Sequence, residues 1–100
     1  VWEGSHRIMA RALGAVLETV PEAERPFTDI TDAYHAARRE VFATCARALL
    51  PARPGEAVLL HRLALHGICP WVEGAIAPVE GRIIAYFRPE LPSVGAWLAL

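Results

Sequence analysis

The sequence predicts an α+β chain in which two helices precede the last strands. Apolar residues recur at helical spacing over residues 5–20 and again over 31–50. A turn-forming cluster, "PARPG" at 51–55, ends that regime. Beyond it lie runs dense in Val, Leu, Ile and aromatic residues, at about 56–68 and 82–88, each bounded by turn residues.

The first helix is read from "GSHRIMARALGAVLETV". Ile8, Met9, Leu13, Val16, Leu17 and Val20 form one stripe, with Arg7, Arg11 and Glu18 off it. Ser5 is the expected N-cap and Pro21 the stop. Gly14 costs roughly 1 kcal/mol relative to Ala, so this helix relies on packing. "PEAERPFTD" is a polar, Pro-punctuated connection.

Thr31 is the expected N-cap of the second helix, with Asp32 favourably placed in its first turn. Tyr34, Ala37, Val41, Cys45, Ala48 and Leu49 mark its buried stripe. After Gly55, "EAVLLHRLALHGI" is too apolar for periodicity to separate strand from helix, and its flanking "RPGE" and "GICP" favour strand. "CPWVEGAIAPVEG" reads as an irregular loop. "RIIAYFR", β-branched and aromatic, is the best strand, stopped by Pro89, and "ELPSVGAWLAL" forms a short packing helix.

With 100 residues, 54% of them hydrophobic and 21% charged, the chain is one ordered domain. A formal net charge of −1 gives no reason to expect nucleic acid as a partner. No apolar run approaches the roughly 18 residues that span a membrane, and no signal peptide is evident. Cys45 and Cys69 make no disulfide framework, so a reducing, cytoplasmic setting is expected. The opening "VWEGSHR" lacks an initiator Met, and two or three strands make no stable sheet alone. Residues 1–100 are therefore expected to be a single incomplete domain cut from a longer protein.

Chemistry concentrates at His61, His66 and Arg82. On an extended strand His61 and His66 face opposite ways, so they cannot share a metal without a kink near Arg62, and their spacing does not fit a structural zinc site. A lone His on an apolar face is more often a satisfied core residue than a ligand. Arg82 heads an apolar run: it is either at the strand's solvent end or buried with an anionic partner, because an unpaired buried charge is very costly.

"WEGSHR", then "PGEAVLLHRLALHG", then "GRIIAYFRPE" resemble, in this order, the C-terminal motifs of the phytanoyl-CoA dioxygenase family. The resemblance runs from Trp2 to about Pro89. It implies the C-terminal part of a double-stranded β-helix, or jelly-roll, with two helices preceding the last strands. It also implies an Fe(II)- and 2-oxoglutarate-dependent dioxygenase that hydroxylates a small-molecule substrate. By the same resemblance His66 is an iron ligand and Arg82 grips the distal carboxylate of 2-oxoglutarate. A triad of two His and one carboxylate leaves iron positions open for the 2-oxo acid and O₂.

The family's His-x-Asp pair has no counterpart here. His6, His35, His61 and His66 are followed two residues on by Ile8, Ala37, Leu63 and Ile68. That pair is expected upstream of Val1, and residues 1–100 alone are expected to be inactive. The competing expectation is a non-catalytic α+β structural or interaction module, or a triad-less member of the same fold. The catalytic reading requires His66 and Arg82 to face a common cavity on one sheet.

Overall fold

Met9, Leu13 and Leu17 recur every four residues, so on a helix of 3.6 residues per turn they share one face. In the computed structural model, which describes residues 1–99, they are the buried face of helix α1, Ser5–Leu17. Helix α2, Thr31–Thr44, contributes Ala37 and Val41, again four apart, and packs on α1. A single 3-10 turn, Arg25–Phe27, lies between them. Helix α3, Val94–Leu98, lays Val94, Trp97 and Leu98 against the same core. The Ser93 hydroxyl caps it, accepting from the Ala96 amide at 3.0 Å. Leu100, the last residue of the expected tail helix, lies outside the described residues. No helix among the described residues is long and apolar enough to cross a membrane.

The expected α+β architecture with a jelly-roll part is overturned. The chain is mostly helical, and among the described residues there is no sheet, only one isolated β-bridge between Trp2 and Arg47. Both expected strands, 56–68 and 82–88, are irregular. The first is broken by a turn in which the Ala64 amide donates to the His61 carbonyl at 2.9 Å. The second runs without turn or bend, yet its backbone makes no backbone–backbone hydrogen bond among the described residues. β-propensity expresses fit to a pleated, half-buried surface, and a strand without a neighbour has no such surface. Ile83 and Phe87 are accordingly 82% and 93% exposed, as are Ile76 and Val79 in the preceding loop, at 96% and above. The radius of gyration, 16.4 Å, exceeds the roughly 13 Å of a compact chain this long because this arm stands away from the helices.

Both main helices stop short of their expected ends. α1 gives way to turns before Pro21. α2 ends six residues before Leu50, because the chain there runs back beside its own start. Ala46 accepts from the Glu3 amide at 2.9 Å, and the Ala48 amide donates to the Val1 carbonyl at 2.8 Å. The Trp2 ring packs on Phe42, centroids 4.9 Å apart. At the other end of α2, Asp29 does the work expected of Thr31: its Oδ1 accepts from the Thr31 amide at 2.9 Å. Bonding to Thr31 holds the exposed Asp29 carboxyl below its ordinary range.

Candidate functional site

The "GSH" turn is built around Gly4, whose φ of +74° is open to glycine at little cost and strained for other residues. This left-handed step turns Ser5 inward, into α1's first turn and away from the capping position. Ser5 is fully buried. Its hydroxyl donates to the Trp2 carbonyl at 2.6 Å and accepts from the Leu65 amide at 2.8 Å. The Trp2 amide in turn donates to the Leu65 carbonyl at 3.0 Å. Residues 1–3 thus lie between 46–48 on one side and Leu65 on the other.

Residues 61–65 are held from four directions. Leu63 enters the helical core at 5% exposure. Leu65 is bracketed by Ser5 and Trp2. The His61 ring packs at a tilt of 41° against His6 of α1, centroids 4.8 Å apart. Arg62 donates to the Trp97 and Ala96 carbonyls at 2.8 and 3.2 Å and also to the Ala99 carbonyl, where α3 leaves acceptors unpaired. Ser5→Ala is expected to cost about 1–3 kcal/mol, because it orphans the Leu65 amide. The check is a urea titration together with loss of exchange protection at that amide.

His66 follows immediately and points out of the docked segment into solvent. Its Nδ1 lies 2.8 Å from the Ala64 carbonyl. A carbonyl only accepts, so in the neutral ring Nδ1 carries the proton and Nε2 keeps an exposed lone pair. Metal-bound histidines are commonly fixed in this way, by a bond from the other ring nitrogen to a backbone carbonyl. His61 has the opposite tautomer, since its Nδ1 accepts from the Leu63 amide at 3.2 Å.

Arg82 is exposed and has no carboxylate partner among the described residues. Its guanidinium lies over the Trp71 ring, 5.2 Å from the centroid, and donates to the Cys69 carbonyl at 3.4 Å. Cys69 is three residues beyond His66, a reach of at most about 11 Å. Arg82 thus contacts the chain three residues beyond His66, and among the described residues there is no sheet on which the two could stand side by side. The two best-defined depressions are lined by residues such as Pro26, Pro92 and Trp97, and by His35, Arg38, Arg39 and Phe42; neither includes His66 or Arg82.

For iron, the donor set is incomplete. Among the described residues no three His, Cys, Asp or Glu side chains converge, whereas a facial triad needs two imidazoles and a carboxylate. His66 fits one ligand position and Arg82 fits a carboxylate grip, while the remaining ligands are not in this neighbourhood. Read from the sequence, Ser5 is an N-cap and His6 has no role, whereas both hold the segment leading to His66. The signal for Ser5 was the glycine before it, which turns a serine inward as readily as it starts a helix. No protein-family model matches the chain, and neither a curated protein nor a solved structure matches it.

Proposed function

We propose that this chain carries part of the iron and cosubstrate site of a 2-oxoglutarate-dependent dioxygenase that hydroxylates a small molecule. His66 is one iron ligand through Nε2, and Arg82 binds the distal carboxylate of 2-oxoglutarate. The reading is carried by the His66 tautomer: the Ala64 carbonyl holds Nδ1–H and leaves Nε2 free and exposed. The ordered motifs around Ser5, His66 and Arg82 support it. Arg82 supports it further, because its planar fork suits a carboxylate and is otherwise occupied by a long bond to one carbonyl. A second histidine and a carboxylate would complete the iron shell. Iron, when bound, supplies O₂ activation; residues 61–66 fix where its histidine stands, and Arg82 orients the 2-oxo acid. A cytoplasmic setting belongs to this reading, in which Cys45 and Cys69 are both free thiols.

A second reading, a non-catalytic interaction module, is favoured by the exposed apolar arm around Ile76, Val79 and Phe87. Anaerobic addition of Fe(II) and 2-oxoglutarate to the natural polypeptide containing these residues separates the two. A visible metal-to-ligand charge-transfer band that disappears in His66→Ala is the expected result. A folded protein with no band supports the second reading, and a band unchanged in His66→Ala removes His66 from the iron shell.

A further inference from the structure

The His6–His61 pair lies outside the proposed iron site, and its geometry makes it sensitive to protons. His61 Nδ1 is already an acceptor, taking the Leu63 amide hydrogen at 3.2 Å inside the 61–64 turn. A proton added to the ring goes to that atom, turning an acceptor into a donor that faces another donor. The new charge also faces His6 of α1, whose ring centroid is 4.8 Å away. On its own segment the neighbouring charge is Arg62, whose guanidinium is turned onto the carbonyls at the end of α3. No Asp or Glu among the described residues is within 4.0 Å of either imidazole to offset these charges.

We propose that His61 is a proton-operated latch whose protonation at Nδ1 releases residues 61–65 from α1 and from the chain start. The turn at Leu63 opens first, Leu63 leaves the core, and the Ser5–Leu65 and Trp2–Leu65 bonds are lost with it. Partial burial, then His6, then Arg62 hold His61 below its ordinary value of 6.5. The unfolded chain therefore binds this proton more readily than the docked one. The stabilisation is complete above about pH 6.5 and is lost as pH falls from there through the lowered folded-state value. The latch does not depend on His66 binding iron.

The test is amide exchange by NMR on the natural polypeptide containing these residues, followed from about pH 7.5 to about pH 5.5, with rates corrected for intrinsic pH dependence. Protection at Leu65 should fall about tenfold for each pH unit of depression of the His61 value. The fall should track the titration of the His61 ring, while the Leu13 amide in α1 stays protected. In His61→Gln, which keeps an acceptor but does not titrate, Leu65 protection should stay flat. Protection at Leu65 that persists through the His61 titration overturns the latch. So does a loss shared equally by Leu13, which would be global unfolding. Because ring titration and exchange are both read in the unsubstituted protein, the result stands even if the variant fails to fold.

Discussion

Leu13→Ala is expected to lower the unfolding free energy by about 2–5 kcal/mol. Leu13 is 2% exposed at the centre of a core that also contains Met9, Leu17, Ala37 and Leu63. That core is thin for a chain of 100 residues: among the described residues, Leu63 is the one buried apolar side chain beyond residue 41. Few neighbours can close over the cavity, so relaxation offsets little of the loss. Folded domains hold only about 5–15 kcal/mol in total, so the variant sits near the edge of folding. The check is a urea titration followed by far-ultraviolet circular dichroism. As a control, Arg11→Ala breaks only the exposed Arg11–Glu40 pair, 2.5 Å long, and should change stability by less than about 1 kcal/mol.

Arg82→Gln is expected to weaken 2-oxoglutarate binding at least about 30-fold while leaving metal affinity unchanged. Truncating one partner of a charge-assisted pair costs about 2–5 kcal/mol, and each 1.4 kcal/mol is about a factor of ten. A carboxylate accepts two parallel bonds from a guanidinium, and glutamine cannot reproduce either the charge or the fork. Arg82→Lys should recover part of the loss, since lysine keeps the charge. The site faces water in this structure, so the effect belongs to the iron-loaded protein, where cosubstrate and metal exclude solvent together. The measurement is a cosubstrate titration of the charge-transfer band, with a parallel Fe(II) titration for the metal.

The helices were legible because their signal is local. A four-residue apolar repeat selects one face, and α1 and α2 bury that face. Their ends were not legible: α2 stops after Thr44 because residues 46–48 bond to Val1 and Glu3, far away in sequence. The strands failed for the same reason in reverse. "RIIAYFR" has the composition of a strand, but a strand exists only beside another, and composition cannot supply the neighbour. Within the candidate site, residue type and motif order single out His66 and Arg82, and both are exposed. What they lean on was not: Ser5 reaches Leu65 across 60 positions, and only folding brings the pair together. His61, expected on an extended strand, instead starts a turn and packs its ring at a tilt against His6.

The most direct test of the account is where a bound metal sits relative to His66 and Arg82. The natural polypeptide containing these residues would be titrated with Mn(II), a paramagnetic stand-in for Fe(II), in the presence of 2-oxoglutarate, and its side-chain NMR signals followed. The His66 ring and the Arg82 guanidinium should broaden together at low metal, with His61 and His35 affected later. Broadening that begins elsewhere, or that spares His66, would contradict it and leave the docked 61–66 segment as a structural element without metal chemistry.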